Sequence, residues 1–290
     1  MAEPLPVSFL NGDFLPLQDA RISPLDRGFL FGDGVYEVMP VYGGRPFRFG
    51  AHAERLTRSL TLLRMHDPHT RDEWRRILGA LIAHNGGGDQ YIYWMVTRGA
   101  ERGRNHAPLP EVARTVFAFC APLPVADAAT LENGVSCITA QDTRWDHCDI
   151  KATALLANVM LRQLAVDANA GETILLRDGE LTEASASAVH IVSGGVVLSP
   201  PNSRHILPST TRGAMEELAT RAGIPHRSEK VTESQLRAAD EVWLSAATRE
   251  VQAVTRLDGR AVGRGRPGPL WQRVREELQR YKRELVGQPW

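Results

Sequence analysis

The chain has 290 residues, 34 Lys+Arg against 34 Asp+Glu, 43% hydrophobic and 23% charged. That length holds the core of one large domain or two moderate ones, and the composition is that of an ordinary globular protein. Balanced charge gives no basic bias toward nucleic acid, and no apolar run is long enough to span a bilayer. Cys120, Cys137 and Cys148 are an odd set without CxxC spacing, and no HExxH pair occurs among the 9 histidines. A disulfide framework or a metal site is therefore not expected, and a reducing compartment is. Met1-Ala2-Glu3-Pro4 lacks the positive region and apolar stretch of a signal peptide, so a cytoplasmic location is expected.

The first element is a hairpin, Val7 to Leu10 and Phe14 to Leu17, closed by Asn11-Gly12. Val35 to Tyr42 is a strand rich in β-branched and aromatic residues, stopped by Gly43-Gly44. His52 to Met65 carries Leu56, Leu60 and Leu63 at helical spacing, and Arg71 to His84 repeats the pattern with Trp74, Ile77, Leu78 and Leu81. Tyr91 to Thr97 and Thr115 to Cys120 read as buried strands. The proline-punctuated stretch 121–127 divides a small N-terminal domain, 1–120, from a larger one, 128–290.

In the second domain, Val135 to Thr139 is a strand and Ala152 to Ala168 a helix. Thr173 to Arg177 is a strand turning at Asp178-Gly179. Val189 to Val192 and Val196 to Leu198 flank another glycine pair. Thr211 to Ala222 is a helix, Glu241 to Leu244 and Val251 to Leu257 are strands, and a charged helix runs from about Leu270 to Leu285. Strands and helices mix without strict βαβ alternation. The expected class is α+β in two domains with mixed or antiparallel sheets.

Two residues carry the chemistry. Lys151 ends an extended run and, on this reading, stands at a helix start, where the partial positive charge disfavours an ammonium and favours a nucleophilic amine. Glu183 follows 32 residues later. An imine-forming lysine and a carboxylate for a pyridinium nitrogen are the requirements of pyridoxal 5'-phosphate (PLP) chemistry. Taken singly, Lys151 reads first as a solvent-facing lysine and Glu183 as a surface carboxylate after the Asp178-Gly179 turn. Arg55 opens a helix pattern and offers a cation for a phosphate. Thr210-Thr211 start another helix, whose amides form an anion site, although Ser and Thr are also ordinary N-caps. Arg104-Asn105-His106 lies in a polar, glycine-marked loop. It reads either as a mobile basic loop or as an arginine fork with an imidazole donor suited to an α-carboxylate.

Three stretches settle the weighing: Asp26-Arg27-Gly28-Phe29-Leu30-Phe31-Gly32-Asp33-Gly34-Val35-Tyr36-Glu37-Val38, Arg144-Trp145 through Cys148-Asp149-Ile150-Lys151, and Leu181-Thr182-Glu183. In this order they resemble the fold-type IV PLP-dependent enzymes, and among them the D-amino acid aminotransferases, over nearly the whole chain. The resemblance implies a small N-terminal α/β domain, a larger C-terminal domain and a cofactor at the domain interface. It implies that Lys151 carries the cofactor and shuttles a proton, that Glu183 pairs with the pyridine nitrogen, and that Arg55 with the amides of Thr210 and Thr211 holds the phosphate. Leu207 would pack against the ring. Tyr36, Arg104 and His106 would face the substrate carboxylate, the last two reaching it from the other subunit of a homodimer. Ala247 stands where some relatives have a phosphate-binding hydroxyl, leaving Thr248 to supply it, and Ala188 stands where Asn is frequent.

The expected activity is transfer of an amino group from D-alanine or a similar D-amino acid to a 2-oxo acid by a ping-pong mechanism. Rivals on the same fold are a branched-chain L-aminotransferase, an R-selective amine transaminase and an aminodeoxychorismate lyase. A PLP-binding protein without turnover is the rival from another class. The Arg104-x-His106 pair speaks against the branched-chain reading.

Overall fold

The structure, a computed structural model, describes residues 3–286. The chain forms two compact units. Of the described residues, one comprises the chain up to Pro124 together with Ile150–Leu155, Leu285 and Val286. The other comprises Val125–Asp149 and Leu156–Glu284.

In the first unit, β1 (Val7–Leu10) and β2 (Asp13–Pro16) form the expected hairpin. Its turn residues Asn11 and Gly12 have φ of 51° and 111°, as a tight two-residue connection demands. A five-residue helix α1 (Arg27–Phe31) follows, capped by the Asp26 carboxylate on the Gly28 amide. Then come β3 (Gly34–Tyr42), β4 (Arg45–Pro46), α2 (Phe49–Leu62), α3 (Arg71–His84), β5 (Gln90–Thr97) and β6 (Thr115–Pro122). The strands make one antiparallel sheet in the order β2-β1-β6-β5-β3-β4.

Period-two alternation sends Val35, Met39 and Val41 of β3 and Ile92, Trp94 and Val96 of β5 into a core with Leu56 and Leu60 of α2 and Trp74, Leu78 and Leu81 of α3. Tyr36 and Tyr93 take the other parity, and their rings stack at 5.4 Å. Thr70 and Glu73 form a capping box that fixes the start of α3.

In the second unit, α4 (Ala128–Asn133), β7 (Val135–Gln141), α5 (Leu156–Asp167), β8 (Glu172–Arg177), β9 (Glu180–Ala184), β10 (Ala188–Ser193) and β11 (Val196–Ser199) are followed by α6 (Thr210–Arg221), β12 (His226–Ser228) and α7 (Glu233–Arg237). The chain continues through β13 (Glu241–Ala246), β14 (Glu250–Leu257) and β15 (Arg260–Ala261) to α8 (Pro269–Val286). The sheet order is β12-β11-β10-β13-β14-β7-β8-β9, with β15 on β14. The pairs β11/β12, β14/β7 and β7/β8 are parallel and the rest antiparallel. Its core gathers Ile174, Ile191, Leu244 and Val254 from the strands with Leu236 of α7.

The helix read over His52 to Met65 runs Phe49–Leu62, and a second expected boundary moves in a way that matters for the site. The helix read as starting at Ala152 starts at Leu156. Residues 151–153 pair with the β3 strand instead: the Tyr36 amide donates to the Lys151 carbonyl at 3.0 Å, the Thr153 amide donates to the Gly34 carbonyl at 2.9 Å, and Ala152 bridges Val35. Pairing with the β3 backbone overrides local helix propensity. Lys151 therefore does not stand at a helix N-terminus, and the dipole argument for its reactivity falls away.

Candidate active site

In the first unit, Lys151 is half-buried, its amide donating to Ser59 Oγ of α2 at 3.3 Å. Its Nζ lies 4.2 Å from the centre of the Tyr36 ring. An ammonium over a phenol face gains a cation–π contact. Backbone pairing with β3 sets this neighbourhood, since the Lys151 carbonyl and the Tyr36 amide are joined directly.

On the core face of β3, Glu37 is fully buried and accepts three charge-assisted hydrogen bonds: from Arg55 Nε at 2.7 Å, from Arg55 Nη2 at 2.7 Å, and from the His52 ring at 2.7 Å. His52 and Arg55 are one turn apart on α2, so both reach the same carboxylate. Burial pushes the Glu37 carboxyl up, but the Arg55 charge and hydrogen bonds outweigh it and hold the pKa at about 2. For His52 burial dominates and lowers the pKa, against the pull of Glu37.

The loop after β5 is exposed at Arg104 and His106, yet it is tied down. Arg27 of α1, 4% exposed, donates from Nη1 to the Asn105 carbonyl at 2.6 Å and from Nη2 to the His106 carbonyl at 2.9 Å. The Arg104 guanidinium lies 5.1 Å from the Phe31 ring centre, and the His106 ring lies 5.4 Å from it.

In the second unit, Glu183 is on β9 and buried. One carboxylate oxygen accepts from Arg144 Nη1 and the other from the Leu207 amide at 3.3 Å. Arg144 also grips Asp142 through Nε at 2.9 Å and Nη2 at 2.8 Å, while Thr182 Oγ1 donates to Asp142 at 2.9 Å. One guanidinium thus serves two buried carboxylates. Burial raises the Glu183 pKa, and Arg144 opposes it without reversing it. For Asp142 burial is outweighed by Arg144 and the pKa is lowered.

Thr210 and Thr211 form the first turn of α6, where backbone N–H groups point past the helix end. The N-cap is Ser209, whose hydroxyl accepts from the Arg212 amide at 3.1 Å. Thr248 lies in the turn between β13 and β14 and is half-buried. The three cysteines are buried, and burial pushes Cys120 and Cys137 up to about 12 and Cys148 up to about 11, which disfavours their thiolate forms.

Residues 34–257 match the family model for Amino-transferase class IV. The chain is also 36% identical to the D-alanine aminotransferase of Staphylococcus haemolyticus over 276 residues, covering 94% of this chain and 96% of that one. The chain belongs to the class IV aminotransferases. The D-alanine aminotransferase of Listeria monocytogenes is 35% identical over 96% of this chain and 98% of its own length. Among solved structures, the branched-chain amino acid aminotransferase of Escherichia coli superposes with a TM-score of 0.87 at 25% identity, covering 94% of this chain and 93% of that one. The resemblance read from the sequence holds, and with it the fold-type IV frame and an aminotransferase as the kind of enzyme.

Within this aminotransferase, four residues escaped the sequence reading as contributors: Arg27, Glu37, His52 and Arg144. Arg27, Glu37 and Arg144 lie inside the motifs that carried the resemblance. What the motifs could not reveal is the distant partner of each, because the contacts of Arg27 with Asn105 and His106, of Glu37 with His52 and Arg55, and of Arg144 with Glu183 span at least 15 residues of sequence. The pairs Asp142 with Arg144 and Arg27 with Asp33 are local and were open to view within the motifs.

Proposed function

We propose that this aminotransferase depends on pyridoxal 5'-phosphate and moves the amino group of D-alanine or a similar D-amino acid to 2-oxoglutarate, giving pyruvate and D-glutamate in two alternating half-reactions. The observation that carries the reading is the 36% identity, over almost the full length of both chains, to a D-alanine aminotransferase. The Arg104-x-His106 pair supports it by supplying a fork and an imidazole for an α-carboxylate. The structural likeness to branched-chain enzymes speaks for the fold rather than the substrate.

Taken unit by unit, the groups present suit the cofactor. Glu183 is a buried carboxylate whose pKa burial has raised despite Arg144, so it still lacks positive charge. A protonated ring nitrogen would supply that charge. The first turn of α6 offers the Thr210 and Thr211 amides to a phosphate, Thr248 offers a hydroxyl, and Arg55, held by Glu37, offers a cation. Leu207, whose amide is on Glu183, would set its side chain against the ring. When bound, the cofactor supplies an electron sink.

Lys151 would hold the cofactor covalently and then carry the proton to and from the substrate α-carbon. Tyr36, under the Lys151 amine, would orient that amine and face the substrate carboxylate together with Arg104 and His106. The working unit on this reading is a cytoplasmic homodimer in which the Arg104 loop serves the partner subunit. An apolar stripe on α5 supports self-association: Leu156, Val159 and Met160 are 73%, 61% and 65% exposed. Among the described residues no helix is long and apolar enough to cross a membrane.

Borohydride reduction of the PLP-loaded enzyme, followed by peptide mapping and a product assay, tests the proposal. The label is expected on Lys151, and D-alanine with 2-oxoglutarate is expected to give pyruvate and D-glutamate in equal amounts. A label on any other lysine, or an absence of D-glutamate, would defeat it.

A further inference from the structure

Arg27 spends its hydrogen-bonding capacity in an unusual way. It is 4% exposed. Its Nε binds Asp33 at 2.8 Å, its Nη1 reaches Glu101 at 3.2 Å and the Asn105 carbonyl at 2.6 Å, and its Nη2 reaches the His106 carbonyl at 2.9 Å. Two of these acceptors are consecutive backbone carbonyls in an otherwise irregular loop. Asp33 is itself fixed by Arg98 Nε at 2.8 Å, and Glu101 accepts from the Leu109 amide at 2.9 Å. The Arg27 backbone amide donates to the Gly99 carbonyl at 2.9 Å, where the chain leaves β5. Gly99 has φ of 98°, and a Cβ there would collide with the Ala113 carbonyl, so the loop entrance admits only glycine.

The side chains of the same loop converge on one ring. Phe31, at the end of α1, has the Arg27 guanidinium 4.8 Å from its centre, Arg104 at 5.1 Å and His106 at 5.4 Å. The backbone of 105–106 is thus fixed from below by a planar fork. The side chains on either side of Asn105 rest on an aromatic face that both an arginine and an imidazole favour.

We propose that Arg27 and Phe31 are positioning residues that preorganise Arg104 and His106 for the substrate carboxylate. Neither touches substrate. Arg27 sets the backbone and Phe31 sets the side-chain orientation, so that the ordering cost of the loop is met before substrate arrives. The proposal rests on the reading of Arg104 and His106 as the carboxylate contacts. Lysine cannot replace Arg27, because a single ammonium on a flexible stem cannot hold two carboxylates and two successive carbonyls in one plane.

The test compares holoenzyme variants Arg27→Lys, Phe31→Leu, Arg104→Ala and the double variant Arg27→Lys/Arg104→Ala. D-alanine KM and kcat are measured, along with the rate of tryptic cleavage after Arg104 by mass spectrometry. Arg27→Lys is expected to raise KM about tenfold with kcat within about threefold, and to speed cleavage after Arg104 at least about tenfold by loosening the loop. The double variant is expected to show no greater KM than Arg104→Ala alone, since both changes remove the same contact. Unchanged KM and cleavage in Arg27→Lys, while Arg104→Ala does raise KM, would sink this inference and leave the substrate reading intact. No KM effect in Arg104→Ala would sink the substrate reading and this inference with it. Should Arg27→Lys fail to fold, Phe31→Leu decides: the same KM shift supports the proposal, and wild-type KM and cleavage overturn it.

Discussion

Arg55 approaches Glu37 side on, with Nε and Nη2 each 2.7 Å from a different carboxylate oxygen, in a pair that is 9% and 0% exposed. This is the strongest geometry available to an arginine and a carboxylate. It orients from behind the cation that is proposed to meet the cofactor phosphate. Removing the charge of Glu37 while keeping its shape leaves Arg55 buried with a poorer acceptor. Glu37→Gln is expected to cost about 3–5 kcal/mol of stability at neutral pH. The folded pKa of Glu37, about 2, lies below its ordinary 4.5, so this contribution is complete above pH 4.5 and is lost as pH falls toward 2. Denaturant unfolding of wild type and variant should therefore diverge at pH 7 and converge as pH drops below 4.5. A constant difference across that range would contradict the pairing.

Arg144 and Glu183 separate folding from catalysis. Arg144→Gln strands two buried carboxylates, Asp142 and Glu183, and is expected to destabilise by about 3–5 kcal/mol. Glu183→Gln keeps the shape and one acceptor oxygen, which serves either Arg144 or the Leu207 amide, while removing the charge. It is expected to change stability by less than about 2 kcal/mol and to lower turnover by roughly 10²-fold or more. Thermal unfolding and steady-state rates on the two variants check this, and equal turnover of Glu183→Gln and wild type would remove Glu183 from the mechanism.

His190, fully buried, links three neighbouring strands through Ser199 Oγ at 2.7 Å and Ser245 Oγ at 2.8 Å. Burial, with Arg212 adding to it, lowers its pKa from 6.5 to about 3. A depressed folded pKa means that the stability it contributes is present above pH 6.5 and is lost as pH falls toward 3. By pH 4.5 the loss from this group amounts to about 2–3 kcal/mol. His190→Asn, which does not titrate, should show a flatter stability profile between pH 7 and 4.5 than wild type. Parallel profiles would show that His190 titrates normally in the fold.

The apolar stripe on α5 predicts where self-association fails. Met160→Glu places a charge on a surface that is 65% exposed in the single chain, so the fold should tolerate it. Sedimentation should then show monomers where wild type shows dimers, with D-alanine turnover lost because the Arg104 loop no longer reaches a partner. A wild-type sedimentation profile for Met160→Glu would place the interface elsewhere.

Much of the frame was legible in the sequence. Asn11-Gly12 marked the hairpin, β-branched and aromatic residues marked β3, and the Trp74-Leu78-Leu81 spacing fixed α3 at Arg71–His84 as observed. Elements of two to six residues, such as α1, α4, α7 and β15, carry too few positions for a period to show. The start of α5 was misplaced because Lys151 and Thr153 pair with β3, more than 110 residues away, and no local pattern signals that. The functional residues themselves could be named from the motifs. Their partners could not, because Arg27 with His106 and Arg144 with Glu183 meet only after folding.

The central claim is stereochemical: the amine donor is a D-amino acid bound through its carboxylate. The most direct measurement mixes PLP-loaded enzyme with D-alanine, L-leucine or (R)-1-phenylethylamine in separate single-turnover runs and follows loss of the cofactor absorbance. The account predicts that D-alanine reacts roughly 10²-fold or more faster than L-leucine, because an L-amino acid that presents its α-hydrogen to the same base turns its carboxylate away from Arg104 and loses a charged contact of ~3 kcal/mol. It also predicts that Arg104→Ala slows D-alanine far more than the amine without a carboxylate. L-leucine reacting as fast as D-alanine, or an equal effect of Arg104→Ala on both amines, would contradict it.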